Sequence, residues 1–292
     1  MKFPPQLLLV LATVLWGGNF VIGRAVSSDI PPMTLALLRW AVALLIFFPV
    51  VAKKLKNDWP KLKANYPAVL IMAITGVAAF NTLVYVGVHY TTSINASLMN
   101  STTPIFIYIL SFILLKDRLN WKQIVGTVIS LVGVLFILTG GSFDKLQSMQ
   151  FNKGDLIVIV AVLCWSIYSI VVKRNAGKLP GDTTFFATIV IGFILLTPFA
   201  SYELGTTDVT INWSFTTIVA IIYVGTFASI VAFLCWNKGV IAIGANRASI
   251  FLNFIPLFAT LFAVLFIDET PIIAQLVGGV AIIIGVMIAS RK

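Results

Sequence analysis

Long apolar runs dominate the sequence, and ten of them follow one another. They cover residues 5–25, 32–52, 67–89, 92–114, 122–140, 154–174, 182–201, 213–238, 243–267 and 271–290. A helix crosses a hydrocarbon core of about 30 Å with roughly 20 apolar residues. Membrane β-strands instead alternate apolar and polar residues over about ten positions, and these runs do not alternate. The sequence therefore predicts an all-α polytopic membrane protein with ten transmembrane helices.

Composition excludes a water-soluble globule. Apolar residues make up 59% and charged residues 10% of the 292 positions, whereas soluble domains carry about 25% charged residues. The net charge of +10 lies in short connections between apolar runs, so we expect a lipid bilayer and no nucleic acid as the partner. The first run lacks an A-x-A-like cleavage site and is interpreted as a retained helix. Cys164 and Cys235 both lie inside predicted spans, and neither a disulfide framework, a metal site nor a cofactor is expected.

The distribution of cations predicts the orientation of the chain. With both termini on one side, that side collects 16 of the 20 lysines and arginines. The opposite side has Arg24, Lys145 and Lys153, while Arg39 lies inside a span. Because cytoplasmic connections carry the excess of positive charge, we expect both termini to be cytoplasmic.

The second half of the chain repeats the first. A shift of 152 residues aligns 95–138 with 247–290 and gives ten identities, among them Pro104 with Pro256, one glutamine pair and two glycine pairs. A shift of 149 aligns the earlier helices, with Trp16 opposite Trp165. We therefore predict two five-helix repeats, residues 1–143 and 152–292.

An odd number of helices per repeat requires the second repeat to enter the membrane from the other side. The charges agree, because the connection after helix four holds Lys116, Arg118 and Lys122, while its counterpart holds Asp268 and Glu269 and no cation. Inverted repeats with a substrate site at their interface are typical of secondary transporters. This pattern predicts a transporter that works by alternating access.

Several segments resemble the EamA-type members of the drug/metabolite transporter superfamily. They are A-T-V-L-W-G-G-N-F at 12–20, P-P-M-T-L-A-L-L-R-W at 31–40, Y-T-T-S-I-N-A-S-L at 90–98, L-L-K-D-R-L at 114–119, G-A-N-R-A-S-I at 244–250 and F-I-D-E-T-P at 266–271. The resemblance implies a ten-helix exporter or permease of small metabolites, such as amino acids or related compounds, in the bacterial inner membrane. The fold alone does not choose among such substrates.

Arg39 is a candidate substrate-binding residue because it lies about seven residues inside helix two. A charge at such a depth costs at least about 2.5 kcal/mol and indicates a functional site. None of the ten acidic residues lies mid-span, which argues against a cavity for lipophilic cations. A guanidinium favours a carboxylate or phosphate, so we predict an anionic or zwitterionic substrate. The alternative is an arginine that snorkels outward or bonds to backbone carbonyls.

Helix three carries Asn81, Tyr85 and His89 at spacings of four, which places them on one helical face. They are candidates for substrate binding, and interhelical hydrogen bonds worth about 0.6 kcal/mol each are the alternative. His89 is the one side chain that titrates near neutral pH without perturbation. It is therefore also a candidate for proton coupling.

Aromatic and amide side chains near mid-span are further candidates. Trp16 and Asn19 in helix one lie at the same repeat level as Trp165 and Tyr168 in helix six. If they face a cavity, the rings can stack on a flat or apolar part of the substrate. If they face lipid or other helices, they are packing residues. Trp236, at the cytoplasmic end of helix eight, is interpreted as an interfacial anchor.

The repeat-related prolines each free the carbonyl four residues earlier. We consider Pro104 and Pro256 as kinks or hinges. Asn100 beside the first and Asn253 near the second either bind substrate or satisfy the bent backbone. Glycines in helices five and ten allow close helix approach, which fits contact between these two helices or a homodimer seam.

Two rival functions remain open at this stage. A membrane-embedded enzyme is the alternative from another class, but the sequence has one histidine and no H-E-x-x-H, G-x-S-x-G or P-loop motif, so no catalytic residue is assigned. Within transport, the alternative is a nucleotide-sugar or sugar-phosphate carrier of the same superfamily. Such cargo calls for several buried cations, and Arg39 is the one cation inside a predicted span.

Overall fold

The computed structural model describes residues 3–26, 29–91, 93–206, 211–266 and 273–291. Within these ranges, ten helices are long and apolar enough to cross a membrane, which confirms the predicted fold class. They are α1 Pro5–Ala25, α2 Pro32–Ala64, α3 Tyr66–Met72 with Ala73–Ala79 and Phe80–Tyr90, α4 Ser93–Ser101 with Thr103–Leu115, α5 Trp121–Thr139, α6 Lys153–Arg174, α7 Gly181–Thr206, α8 Phe215–Tyr223 with Val224–Val231 and Ala232–Ile243, α9 Ala245–Ser249 with Ile250–Asn253 and Phe254–Phe266, and α10 Ile273–Ser290. A short helix, Phe143–Gln147, lies in the connection between the two halves.

Side-chain caps fix the starts of helices at the membrane surfaces. The Asn120 side chain accepts from the amide of Lys122 at 3.2 Å, and the Gln123 side chain accepts from the amide of Asn120 at 2.9 Å. This reciprocal capping satisfies amides that the first helical turn leaves without partners. At its other end α5 stops at Gly140, which has a φ of 65°, a conformation that glycine adopts without strain.

Helix α2 is longer than predicted. The apolar run ends near residue 52, but the helix continues to Ala64 and includes Pro49 and Pro60. Lysines end the hydrophobic run without ending the helix, because lysine is a good helix former. The prediction confused the edge of the membrane with the end of the helix.

Departures from α-helical geometry occur at repeat-related positions. A π-helical segment interrupts α3 at Ala73–Ala79 and α8 at Val224–Val231. Near the repeat-related prolines, α4 has a turn at Thr102 and α9 tightens to a 3₁₀ helix over Ile250–Asn253. Such irregularities have identifiable local causes and often mark functional regions. The two halves therefore share their helix defects as well as their sequence.

Helices α5 and α10 form a close antiparallel pair. A Cβ atom added to Gly126 would lie 2.4 Å from the carbonyl oxygen of Gly285, and one added to Gly133 would lie 2.6 Å from that of Gly278. Small residues allow backbones to approach this closely. Because Gly126 aligns with Gly278 and Gly133 with Gly285 in the repeat, the two contacts are equivalent to each other.

The other packing contacts also occur in equivalent sets. Helix α1 packs against α8 and α9, and its repeat counterpart α6 packs against α3 and α4. Helices α2 and α7 pack against each other. Each half therefore completes the core of the other, and the two halves interlock.

Carboxylates tie α2 and α7 together at both of their ends. Glu203 accepts from the amides of Met33 and Thr34 at 3.1 and 2.8 Å at the start of α2. At the start of α7, Asp58 accepts from the hydroxyl of Thr183 at 2.8 Å. Each carboxylate lies at a helix N-terminus, where negative charge is favourable.

Candidate functional site

A cavity of about 910 Å³ lies between α1, α2, α3, α4 and α9. Its lining comes mainly from the later halves of α1, α3 and α9 and the earlier halves of α2 and α4. Because successive spans cross in opposite directions, all these half-helices lie toward the face opposite the chain termini. The cavity therefore runs from the middle of the bundle toward that face.

Aromatic rings fill the bundle beneath the cavity. This aromatic cluster consists of Trp16, Trp40, Trp165, Tyr168, Phe185, Phe233 and Trp236, all of them buried. The Trp165 ring lies 5.3 Å from that of Trp16 and 5.2 Å from that of Phe233, both in edge-to-face geometry. Such pairs add about 0.5–1.5 kcal/mol beyond their buried area. The cluster closes the cavity on the side of the termini.

Arg39 lines the cavity near its closed end, and its side chain is only 2% exposed. Its Nε donates to the hydroxyl of Ser229 at 2.9 Å, and its Nη1 donates to the Asn81 Oδ1 at 3.3 Å. The guanidinium also lies 5.1 Å from the centre of the Trp40 ring, a cation–π contact. Ser229 lies in the π-helical segment of α8 and donates its own proton to the Val224 carbonyl. Groups from two neighbouring helices and the adjacent ring thus help to position the guanidinium.

Two further donors accompany this charge. Within the described part of the chain, the Asn81 Nδ2 and the Trp165 Nε1 are buried and contact no acceptor. Both residues line the cavity. A buried donor without an acceptor costs about 1–3 kcal/mol, and an acceptor from a ligand would remove that cost. This end of the cavity therefore combines a positive charge with N–H groups that need acceptors.

The remainder of the cavity wall is largely apolar. Among the described lining residues none is acidic, and Arg39 is the one cation. Besides Asn81, the other polar side chains in the lining are those of Asn19, Tyr90, Ser97, Asn100 and Thr260. The cavity therefore provides a charged polar end and an apolar body, a combination found in small-molecule sites.

Most of the predicted site residues come together around this cavity. Those that line it are Trp16, Asn19, Arg39, Asn81, Asn100, Trp165 and Pro256. The side chains of Tyr85 and His89 fall outside what the structure describes, so the predictions made for them are not tested.

Two predicted site residues lie away from the cavity lining. The Tyr168 hydroxyl donates to the Asn237 Oδ1 at 3.0 Å beneath the cavity. The Asn253 Nδ2 donates to the Ser130 hydroxyl at 2.6 Å, between α9 and α5. For Tyr168 this contact is the packing alternative. Asn253 contacts a side chain of α5 and not the bent backbone, which was its alternative. The substrate contact predicted for them has no support in this conformation.

The carbonyls freed by the prolines are satisfied locally. The hydroxyl of Thr103 donates to the Asn100 carbonyl, and the Phe254 amide donates to the Leu252 carbonyl. Pro104 is buried in α4 and does not line the cavity. Repair of the bent backbone therefore accounts for these carbonyls, while the hinge role of the prolines stays a prediction.

Ser229 was not among the predicted site residues, and Trp236 does not lie where it was predicted. Ser229 is a single hydroxyl within an apolar helix, and its spacing gives no signal of the π-helical segment that turns it toward Arg39. The interfacial anchor predicted at Trp236 is wrong, because this ring is fully buried and its Nε1 donates to Ser169 at 3.2 Å. Lysine and arginine mark the membrane edge better than a tryptophan does, since a tryptophan also fits the core.

Comparison with known proteins agrees with this architecture. An uncharacterized transporter of Bacillus subtilis, YyaM, is 28% identical over 97% of this chain and 92% of its own length. A more distant relative from Streptantibioticus cattleyicolor, named as a "Probable terminal-alkyne amino-acid exporter", is 24% identical over 97% of this chain and 92% of its own. One solved crystal structure superposes with a TM-score of 0.80 over 98% of this chain and 96% of the other, at 18% identity, which shows a shared fold.

A family model also matches the chain. The model of the EamA-like transporter family matches twice, over residues 4–139 and 152–291. These two segments together cover nearly the whole sequence. The chain therefore belongs to the EamA-like transporter family and is a multi-pass membrane transporter of small molecules, not an enzyme.

Proposed function

We propose that the chain exports a small metabolite bearing a carboxylate, such as an amino acid or a related zwitterionic or anionic compound, across the inner membrane. The observation that carries this proposal is the closed end of the large cavity. A guanidinium lies there with two buried N–H groups that have no acceptor in the described structure. A carboxylate supplies two acceptor oxygens and a negative charge to such a set.

Electrostatics favour this class over the others. A hydrogen bond to a charged group contributes about 1.5–3 kcal/mol, more than a neutral one. A cationic substrate would meet Arg39 and no carboxylate among the described lining residues. A nucleotide sugar or sugar phosphate carries more negative charge than one arginine balances. The site therefore suits one carboxylate.

Alternating access through inverted repeats is the mechanism we propose. The two five-helix units, residues 1–143 and 152–292, would insert in opposite orientations. The contact between α5 and α10 supports this. Each is the fifth helix of its unit, and the two run antiparallel, as equivalent helices of oppositely oriented units must. With the termini in the cytoplasm, the large cavity of this conformation faces outward, as expected of an exporter after release. The name of the Streptantibioticus relative, an amino-acid exporter, fits the same substrate class.

A ligand screen on the purified protein tests the substrate class. Each candidate carboxylate is paired with its methyl ester or amide, which keeps the size but loses the charge. A ligand present at 100 times its Kd stabilises the folded state by about 2.7 kcal/mol, so binding raises the melting temperature. We expect the carboxylates to stabilise and their neutral partners not to. Labelled hits are then tested for flux in proteoliposomes.

Equal or stronger stabilisation by the esters, by amines or by phosphate compounds would place the substrate in another class. Stabilisation without flux would indicate binding without transport.

A further inference from the structure

Helix α2 continues beyond its apolar run as a basic helical segment, residues 53–64, which we call the lysine segment. It holds five lysines and one aspartate, a net charge of +4. The apolar run of α2 ends near residue 52, and that of α3 begins near residue 67. The chain therefore leaves the hydrocarbon core and returns to it at the same membrane surface. Phospholipid headgroups form that surface, so both ends of the lysine segment lie at the headgroup layer.

One face of the lysine segment is attached to the rest of the protein. Val51, Leu55, Asp58 and Leu62 follow one another at spacings of four, three and four, which places them on one side of the helix. Leu62 is 4% exposed, and Leu55 packs against the main apolar core. Asp58 accepts from the Thr183 hydroxyl at the start of α7. The segment is therefore held in place, and its opposite face has a fixed direction.

The opposite face combines positive charge with an aromatic ring. Trp59 is 59% exposed and lies three residues after Lys56 and four before Lys63. Side chains at these spacings are neighbours on a helix, and tryptophan rings are enriched at the headgroup level of membranes. Four of the five lysines are exposed and form no ion pair with any residue in the described ranges, namely Lys53, Lys56, Lys61 and Lys63.

Neither the orientation of the chain nor the repeat requires this arrangement. Positive charge anywhere in a cytoplasmic connection biases orientation, whereas these lysines share the exposed side of one helix with a tryptophan. In the repeat, α7 ends at Thr206, the equivalent of Asn57, while α2 continues to Ala64. Shifted by 149 residues, the five lysines correspond to Tyr202, Glu203, Gly205, Thr210 and Asn212. The lysine segment therefore belongs to one membrane face only.

We infer that the lysine segment binds anionic phospholipid headgroups, with the Trp59 ring at the headgroup level beside them. Clusters of four to eight cations next to a membrane span favour anionic lipids, and each lysine near such a surface contributes about a fivefold factor in affinity. Ammonium groups donate charge-assisted hydrogen bonds to phosphate oxygens. Because the segment is attached to α7, this surface exists before a lipid binds. The inference uses neither the substrate site nor the direction of transport.

Native mass spectrometry of the purified protein tests the lipid site. The protein in nonionic detergent receives equal amounts of phosphatidylglycerol and phosphatidylcholine, and the bound lipids are counted. The lysine variant combines Lys53→Gln, Lys56→Gln, Lys61→Gln and Lys63→Gln. The matched control removes four exposed cations from other connections on the same side, by Arg118→Gln, Arg174→Gln, Lys178→Gln and Lys238→Gln. We expect the wild type and the control to prefer phosphatidylglycerol at least about tenfold, and the lysine variant to bind both lipids equally.

A charge-preserving variant separates loss of charge from loss of fold. It combines Lys53→Arg, Lys56→Arg, Lys61→Arg and Lys63→Arg, and it should keep the preference for phosphatidylglycerol. An unchanged preference in the lysine variant would overturn the inference. An equal loss in the matched control would also overturn it, because net charge alone would then explain binding.

The same spectra distinguish other occupants of this surface. Displacement of phosphatidylglycerol by an equal concentration of inorganic phosphate would indicate a site for soluble anions and overturn the lipid assignment. A shift from dimer to monomer in the lysine variant, with unchanged lipid binding, would indicate an interface between two copies of the chain and overturn it as well.

Trp59→Ser tests the contribution of the ring. Trp121→Ser is its matched control, because Trp121 is 66% exposed at the start of α5 on the same side. We expect Trp59→Ser to reduce the preference for phosphatidylglycerol, though less than the four lysine changes together, and Trp121→Ser to leave it unchanged. Equal effects of the two changes would overturn the assignment of Trp59 to the lipid site.

Discussion

At the scale of single residues, the proposed binding site depends on charge and on hydrogen-bond donors. Arg39 bonds to Ser229 and Asn81, so its guanidinium is positioned before any substrate arrives. Such preorganisation lowers the entropy that binding costs. The role proposed for Arg39 could be predicted from the sequence, because a charge deep in a membrane span is costly and indicates a functional residue. That of Ser229 could not.

Arg39→Met should weaken binding of a carboxylate ligand about 10- to 100-fold, since a charge-assisted hydrogen bond contributes about 1.5–3 kcal/mol. Arg39→Lys should give an intermediate loss, because lysine keeps the charge but not the planar fork. Ligand-induced shifts in melting temperature measure both. As the control, membrane fractionation shows whether the variants insert as the wild type does. Unchanged affinity in Arg39→Met would remove this residue from the binding site.

Trp165→Phe separates binding from stability. Both this change and Trp236→Phe lose ring contacts in the aromatic cluster, but Trp165→Phe also removes a buried N–H that has no acceptor among the described residues. It should therefore lower the stability of the ligand-free protein less than Trp236→Phe does, while carboxylate binding weakens about 3- to 10-fold. Trp236→Phe is the matched control: its N–H donates to Ser169, so this change should lower stability. Thermal melting with and without ligand reads both effects. A loss of stability in Trp165→Phe as large as in Trp236→Phe would contradict the assignment.

At the scale of helices, close packing and helix defects repeat between the halves. The ten spans were predictable because hydropathy depends only on local composition. Which face of a span meets the cavity was not predictable from periodicity, because a buried membrane helix is apolar all round. Tyr168, predicted from its mid-span level, and Asn253, predicted from its place near Pro256, show this limit, since both side chains contact neighbouring helices. The π-helical segments in α3 and α8 left no trace in the sequence.

Gly126→Ala should destabilise the protein by about 1–3 kcal/mol, because a methyl group would overpack the seam between α5 and α10. The added Cβ would lie 2.4 Å from a backbone oxygen, which cannot move aside as a flexible side chain can. Gly205→Ala in α7 is the control, with no atom within 4 Å of its added Cβ. Thermal unfolding in detergent compares them. Equal melting temperatures would show that the seam is looser than described.

At the scale of the whole molecule, the halves interlock and the cavity opens to one face. With the termini in the cytoplasm, as we propose from the charge distribution, the large cavity faces outward. Neither the direction of the cavity nor its degree of opening could be read from the sequence. Both depend on long-range packing between helices of different repeats, such as α1 with α8 and α6 with α3.

Single cysteines test this orientation. In a background with Cys164→Ser and Cys235→Ser, which contains no other cysteine, Gln147→Cys should react with a membrane-impermeant thiol reagent in intact cells. Its connection lies on the side opposite the termini. Lys178→Cys, in the connection before α7, should react only after permeabilisation. Both positions are exposed, so access depends on the side of the membrane. The reverse pattern would invert the orientation and make the large cavity face the cytoplasm.

The contact between Trp16 and Trp165 has a consequence for motion. These rings are repeat partners that touch each other, 5.3 Å apart. If the two halves exchange conformations, a contact between two residues is replaced by the contact between their repeat equivalents. For Trp16 and Trp165, which are equivalent to each other, the replaced and the new contact are the same. The two indoles would then act as a fulcrum: they stay in contact while the helices separate first at one membrane face and then at the other.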